Sequence, residues 1–538
     1  MDDKGMSRFD FASGAVEIRP GDTIGTALAR AGVPIDHPCG GRGRCGKCLV
    51  LAAPAAEATE AEKKLLSPER LAEGWRLSCQ SPAVEGMRVS YTDGRHGDRI
   101  LVGGASKGSH GFAPAEDGKY RLGVDIGTTT VVVYLLDPSS GKITATASAG
   151  NSQAKYGADV ISRIFAVDSD FANLKLLKDE IVGTVNGLIG EVVKKAGIST
   201  SQIGIVHAAG NTTMEHLFLG EDPRPIGRSP FIPPFLRADD RNAAKLGLAL
   251  DGAVSVRLVP NISAFIGGDI TAGLYHVGAS RQKGVSLFID IGTNSEMAIC
   301  RDGEFYSCSA AAGPALEGAQ ISTGMRATEG AVEKAVFDGE KLVVSTINDT
   351  PPAGLCGSGI IDLIAVLLDC GAILPNGKFA AAEHVRYEDM ARRLRRGAKN
   401  FREFVYCFKG ERGAERELVL TQKDVREVQL AKSAIAVGEE TLLEIIGADV
   451  SALDRVYLAG AFGNYIDCGN AIRMGILPKI PEKIITLGNS AGLGVCESAF
   501  DPKADGEFRY IENHCKSLNL AALDDFQQKF LKHLNFDA

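Results

Sequence analysis

Apolar positions along the chain come in short bursts, and their period shifts from one stretch to the next. Near the N-terminus Val16-Glu17-Ile18 and Arg88-Val89-Ser90-Tyr91 read as strands, and Lys47-Cys48-Leu49-Val50-Leu51 as another. Asp22 to Gly32 reads as a helix, with Asp22 as its expected N-cap and Gly32 just past its end. Residues 95–119 hold few large apolar groups. Their glycines and serines (Gly103-Gly104-Ala105-Ser106-Lys107-Gly108-Ser109) predict a flexible linker, with Arg99-Ile100-Leu101-Val102 as one possible short strand. From residue 120 strands and helices alternate, which predicts an α/β fold. Tyr120 to Asp137 reads as an apolar strand, a polar Gly/Thr turn and a second β-branched strand, and Leu287 to Ile299 repeats that design. Val160, Ile161 and Ile164 recur at helical spacing, as do Val425, Val428 and Leu430 behind a Thr421/Asp424 cap. Five prolines between 222 and 235 keep that stretch out of a helix.

Composition narrows this little. The chain has 538 residues, 45% hydrophobic and 23% charged, ordinary for a globular protein of several domains. A net charge of −8 with no long Lys/Arg block gives no expectation of nucleic-acid binding. The longest apolar runs, such as Val131–Leu136, fall far short of the ~20 residues a membrane span needs. Met1-Asp2-Asp3-Lys4-Gly5 is no secretory leader, so the expectation is a cytoplasmic protein with no membrane partner. Of twelve cysteines, Cys300, Cys308, Cys356, Cys370, Cys407, Cys468, Cys496 and Cys515 are scattered singly, as buried reduced thiols are. Arg392-Arg393-Leu394-Arg395-Arg396 reads as a solvated basic face.

The other four cysteines form a pattern. His37-Pro38-Cys39-Gly40-Gly41-Arg42-Gly43-Arg44-Cys45-Gly46-Lys47-Cys48 is answered by Cys79 in Leu77-Ser78-Cys79-Gln80. Four thiolates close one iron–sulfur cluster, and the spacing lies one residue from that of plant-type [2Fe–2S] proteins. The glycines let the backbone bend around a small cluster and turn N–H groups toward its sulfurs. Zinc is the competing metal, but zinc sites pair two short Cys knuckles, whereas Cys79 stands alone. Cys39, Cys45, Cys48 and Cys79 are therefore the expected ligands of a [2Fe–2S] cluster. Residues 1–94 resemble the β-grasp [2Fe–2S] ferredoxins, whose Pro-Cys-Gly-Gly-x-Gly-x-Cys-Gly-x-Cys string runs here from Pro38 to Cys48. The acidic segment Ala52 to Glu62 replaces the loop between the third and fourth ligands.

The paired hairpins carry the second chemistry. Asp125-Ile126-Gly127-Thr128-Thr129-Thr130 and Asp290-Ile291-Gly292-Thr293-Asn294-Ser295 each set small residues behind a strand-end aspartate. Such a turn offers backbone N–H groups and hydroxyls to a phosphate, and its Asp can hold a metal ion through water. One such turn alone is also ordinary hairpin geometry. Two, followed by the strand and glycine turn Val456-Tyr457-Leu458-Ala459-Gly460-Ala461-Phe462-Gly463, resemble the acetate kinase–sugar kinase–Hsp70–actin (ASKHA) superfamily. That resemblance implies two ribonuclease-H-like lobes at 120–282 and 283–538, facing each other across a nucleotide cleft. His207-Ala208-Ala209-Gly210-Asn211-Thr212-Thr213-Met214 reads as a strand-end loop entering a helix, either ligand-facing or a plain cap, and Leu487-Gly488-Asn489-Ser490 as another strand-end glycine loop entering a helix.

The strings YGADVISRI, AAGNTTM, IDIGTNSEMA, AAGPALEGAQI, GLCGSGIIDLI, TQKDVREVQLAK and LAGAFGNYID, behind a ferredoxin domain and a linker, are similar to the reductive activators of corrinoid proteins. That similarity covers nearly the whole chain. It implies ATP-driven one-electron reduction of a Co(II) corrinoid protein, a low-potential electron donor and a homodimer. It also implies roles: Asp125 and Asp290 position Mg²⁺, Gly127-Thr128-Thr129-Thr130 and Gly292-Thr293-Asn294-Ser295 hold the phosphates of ATP, and Gly460-Ala461-Phe462-Gly463 faces the adenosine. Glu296, Asp159 and Glu317 are the candidates for general base. Two alternatives stay open at this point: a nucleotide-binding redox sensor, and an activator of another low-potential enzyme, although dehydratase activators of this superfamily lack a ferredoxin domain. A sugar kinase has no use for the cluster.

Overall fold

The computed structural model describes residues 8–11, 14–31, 41, 43, 48–66, 68–90, 110–397, 400–460 and 465–536. The N-terminal domain is a five-stranded sheet in the order Gly14–Glu17, Arg8–Phe11, Arg88–Ser90, Leu49–Ala53, Trp75–Leu77, with one parallel pair, Arg8–Phe11 beside Arg88–Ser90. Helix Ile24–Arg30 closes its core against Phe9, Val16, Val50, Leu77 and Val89. The helix starts one residue later than expected. Thr23 is the N-cap, its hydroxyl accepting from the Thr26 N–H at 3.2 Å, while Asp22 pairs with Arg30 at 2.6 Å. The acidic segment after Ala52 ends in helix Glu60–Leu65, and its Glu62 is fully buried. The Glu62 carboxylate accepts from the Leu77 N–H at 2.8 Å, two residues before Cys79.

Each ATPase lobe repeats one topology. In the first, the meander Ile143–Gly150, Thr130–Leu136, Tyr120–Ile126 continues in parallel through Ile203–Gly210 and Ser255–Leu258. In the second, Glu304–Ala310, Ser295–Arg301, Val285–Ile291 continues through Arg455–Ala459 and Ile484–Gly488. An extra strand sits at opposite ends: Arg241–Asn242 in the first lobe, Cys515–Leu518 in the second. Burial on both faces explains why Val131–Leu136 is apolar throughout rather than alternating. Val131, Val133 and Leu135 join the core under helix Ala172–Ala196, whereas Val132, Tyr134 and Leu136 pack on Cys496 and Phe500.

Cys496 belongs to the other lobe, because one helix of each lobe crosses to its neighbour. Helix Gly268–His276 leaves the first lobe and packs on Phe288, Phe305 and Tyr457, while helix Ser490–Ser498 leaves the second and packs on the first. The two helices approach closely at Gly494, where a Cβ would lie 2.1 Å from the Ala272 carbonyl oxygen.

Further along, helices Gly357–Asp369 and Gln422–Ile445 and two three-stranded sheets enlarge the second lobe. The basic cluster there is not uniformly solvated. Arg393 is 1% exposed and pairs with Asp389 and Glu411, both at 2.8 Å, so its charge is an internal brace. The end of the expected linker, from His110, is also not a free coil. Ala113 donates to the Phe500 carbonyl and Ala115 to that of Pro138, both at 2.8 Å, and His110 stacks on Tyr275. Residues 95–109 lie outside the described residues. No described helix is long and apolar enough to cross a membrane.

Candidate active site

The cluster loop is positioned by strand pairing. Leu49 opposes Leu77 across an antiparallel ladder, so the residues just beyond, Cys48 and Cys79, meet at the same end. Their sulfurs are 3.2 Å apart, well beyond the ~2.05 Å of a disulfide. The Cys79 thiol beside it and then burial push the Cys48 thiol far above its usual range, since two crowded thiolates repel. Two sulfurs this close and unbonded fit the [2Fe–2S] reading. Gln80 grips the loop from the other side, its amide donating to the Gly41 carbonyl at 2.6 Å. Cys39 and Cys45 lie outside the described residues.

The two Asp-Ile-Gly-Thr turns occupy equivalent places. Asp125 pairs in register with Ala209, and Asp290 with Ala459. Ala209-Gly210 and Ala459-Gly460 are therefore counterparts at the carboxyl ends of neighbouring parallel strands, where open α/β sheets bind ligands. This second repeat was readable in the sequence as a matching Ala-Gly pair. Gly460 has φ +90°, and a Cβ there would sit 2.4 Å from an Asp290 carboxylate oxygen, so only glycine fits. Ala461, Phe462 and Gly463 lie outside the described residues.

In the first turn the carbonyl groups are pinned from behind. Asn151 donates its side-chain amide to the Gly127 carbonyl at 2.9 Å and its own N–H to that of Thr129 at 2.8 Å. Arg163 donates to the Thr128 carbonyl at 2.6 Å, and Asn211 to the Thr128 hydroxyl at 2.8 Å. Asn211 also caps helix Thr212–Leu219, so the AAGNTTM loop both starts a helix and braces the turn. In the second turn the brace is an acid: the Thr293 hydroxyl donates to Glu317 at 3.0 Å. Among the described residues, nothing hydrogen-bonds to the buried hydroxyls of Ser295 and Ser490 or to one buried carboxylate oxygen of Glu215. Buried polar atoms of this kind need a ligand or water to complete them.

Carboxylates crowd the space between the turns. Burial, with the negative charge of Asp269, raises Asp125 to about 7, against a hydrogen bond from Asn489 at 2.7 Å. Burial, then Asp269, Asp125 and Glu317, raise Asp290 to about 7. Asp269 itself is raised to about 6 by burial. Glu296 is pushed well above the usual carboxylate range by burial and by Asp269 and Asp290, although Ser309 donates to it at 3.2 Å. Among the described residues no three of these acids bring oxygens within 4.8 Å of one another, so they form no closed cage. All-oxygen donors held this far apart suit a hard cation that keeps most of its waters, as Mg²⁺ does.

Asp269 escaped the sequence reading, and Asn489 reads in it only as part of a strand-end loop. Asp269 opens the helix that crosses between the lobes, and its charge reaches Asp125, Asp290 and Glu296. Asn489 belongs to the second lobe yet bonds to Asp125 of the first, while capping its own helix through Gly492 at 2.8 Å. Asp159 starts helix Val160–Ser169, its carboxylate accepting from the Ser162 N–H at 2.7 Å.

Comparison with known proteins follows this division of the chain. Residues 12–84 match a 2Fe-2S iron-sulfur cluster binding domain, 120–282 the RACo middle region, and 284–538 the C-terminal domain of RACo, the ASKHA domain. The corrinoid activation enzyme RamQ of Eubacterium limosum is 32% identical over 97% of this chain and 97% of its own length. The chain belongs to the reductive activators of corrinoid proteins. Within that family, a solved structure titled reductive activator for corrinoid, iron-sulfur protein matches with a TM-score of 0.71 at 30% identity, covering 98% of both chains. The [Co(II) methylated amine-specific corrinoid protein] reductase of Methanosarcina barkeri is 29% identical over 43% of this chain and 42% of its own. The expected α/β architecture, a ferredoxin domain followed by an ASKHA-type ATPase, is the one the chain adopts.

Proposed function

We propose that this chain is an ATP-dependent reductive activator that passes one electron from its N-terminal domain to a Co(II) corrinoid protein, leaving Co(I) ready for methyl transfer. The observation that carries this reading is the fusion of a cysteine-loop ferredoxin domain to a two-turn ATPase, along the full length of a corrinoid activation enzyme. When bound, the cluster supplies single electrons near ~−400 mV, the plant-type value. Delivery to a couple of lower potential is uphill, and for one electron each ~59 mV is tenfold in the equilibrium constant. Closure of two lobes around a nucleotide is the bistable change that can offset this.

Each residue has a part in that closure. Cys39, Cys45, Cys48 and Cys79 hold the cluster. Gly127 to Thr130 and Gly292 to Ser295 present N–H and hydroxyl donors to the phosphates, and Gly460 to Gly463 lie along the adenosine. Asp125, Asp290 and Asp269 are the acids whose mutual repulsion a hydrated Mg²⁺ relieves. Glu296, pushed well above the usual carboxylate range by burial, and Glu317, raised by burial too, are the candidates to accept the proton of the attacking water. A low-potential donor refills the N-terminal domain, two copies of the chain form the working unit, and the cytoplasm keeps its scattered thiols reduced. The test mixes purified protein, a strong reductant and a Co(II) corrinoid protein with and without ATP. The Co(I) absorption band is expected only with ATP; its absence with ATP across corrinoid partners of methyltransferase systems overturns the reading.

A further inference from the structure

Arg163 lies in the YGADVISRI stretch, to which the functional reading assigns no role beyond a helix. Its side chain is fully buried. Its Nε donates to the Gly157 carbonyl at 2.9 Å, one terminal nitrogen to the Gln153 amide oxygen at 3.0 Å and the Met214 sulfur at 2.9 Å, and the other to the Thr128 carbonyl at 2.6 Å. Every one of these acceptors is neutral. A buried cation is ordinarily paired with a carboxylate, because an unpaired one is costly to take out of water. Asp159, whose negative charge acts on it, spends its carboxylate on capping its helix, and Arg326 adds a second positive field. Burial accordingly lowers Arg163 to about 9.

The Thr128 carbonyl explains the placement. In a trans peptide the C=O of one residue and the N–H of the next point to opposite sides. Holding the Gly127 and Thr128 carbonyls from behind, through Asn151 and Arg163, turns the Thr128 and Thr129 N–H groups forward, away from the braces. Two successive N–H groups aimed the same way form an anion-binding concavity. The guanidinium stands one peptide behind it and strengthens its field in a dry setting.

We propose that Arg163 is a positioning residue for the nucleotide's polyphosphate: it fixes the forward-facing N–H groups of the first turn and supplies the buried positive charge that the phosphates complete. The proposal rests on the reading of that turn as a phosphate site. It predicts selectivity between the phosphate and nucleoside ends of the ligand, which a purely structural arginine does not affect.

The experiment measures ATP, ADP and adenosine binding by calorimetry on the full chain with its cluster, for wild type, Arg163→Gln and Arg163→Lys. Arg163→Gln is expected to weaken ATP and ADP by about ten- to a hundredfold while adenosine affinity stays unchanged. Arg163→Lys, which keeps the charge but reaches fewer acceptors, recovers part of the ATP affinity. If Arg163→Gln does not fold, Arg163→Lys carries the test alone, with ATP weakened by a few-fold and adenosine untouched. Wild-type ATP affinity in the variants, or equal losses for ATP and adenosine, overturns the proposal. A wild-type chain that binds no ATP sinks the functional reading as well, so the two failures are distinguishable.

Discussion

The two Asp-Ile-Gly-Thr turns share a sequence, a register and a place in the same five-strand topology, yet their surroundings differ in sign. The first is gripped by donors: Asn151, Asn211 and a buried arginine. The second is surrounded by acids, with Glu317 on its threonine and Glu296 opposite its aspartate across the ladder. A duplicated fold has thus been specialised by its neighbours rather than by the turns. With both turns proposed to hold phosphates, we propose that the donor-braced one bears more of the phosphate charge and the acid-lined one more of the cation and the water it orders. This assignment makes the second turn the more sensitive of the two to loss of a carboxylate.

The largest expected effect comes from Asp290→Ala. ATP turnover, followed by phosphate release, is expected to fall by about a hundredfold or more, with the visible spectrum of the cluster unchanged. Cys45→Ser gives the mirror image, losing the cluster spectrum and Co(I) formation while ATP still binds. Loss of both properties in a folded variant of either kind contradicts the separation of the two chemistries. Next come the isosteric variants. Asp125→Asn keeps an amide oxygen to accept from Asn489, so its turnover is expected to fall by only about tenfold, less than in Asp290→Asn. Equal losses erase the distinction between the turns.

A pH effect of intermediate size follows from the same acids. Asp125 and Asp290, raised to about 7, and Asp269, raised to about 6, hold protons that the unfolded chain releases near its ordinary carboxylate range. The folded state therefore binds more protons across that window, and stability falls as pH rises from about 5 toward 7. Thermal melts without nucleotide are expected to drop by a few degrees over that interval, and Mg²⁺ with ATP to flatten the dependence. A melting temperature that rises over the same interval without nucleotide contradicts the crowded-acid picture. The smallest effect belongs to Glu317→Gln. The Thr293 hydroxyl keeps an acceptor, but Asp290 loses one of the charges that raise it, so the acid limb of the pH–turnover profile should move to lower pH by under about one unit. A move to higher pH contradicts the assignment.

What the sequence made legible were features written within short windows. The cysteine loop, both turns and the caps at Asn211 and Thr421 each lie within a few residues, and local spacing is enough to find them. The residues it hid act across long separations. Asp269 opens a helix that looks like plain core, and its charge matters only because that helix crosses between the lobes. Asn489 reads as part of a strand-end loop entering a helix, but its amide also reaches Asp125, which pattern alone does not predict. Arg163 looks like the polar face of an amphipathic helix, and only packing shows it pointing inward. Thr23 displaced Asp22 as a cap because Arg30, one turn past the expected pairing distance, claims the aspartate.

The most direct measurement pre-reduces the protein, removes the reductant and mixes it rapidly with a Co(II) corrinoid protein, following the cluster and cobalt bands together. With ATP, one Co(I) is expected to appear for each cluster oxidised, and without ATP neither band should change. Co(I) that forms at the same rate without ATP, or that forms while the cluster stays reduced, contradicts ATP-driven electron delivery from the N-terminal domain.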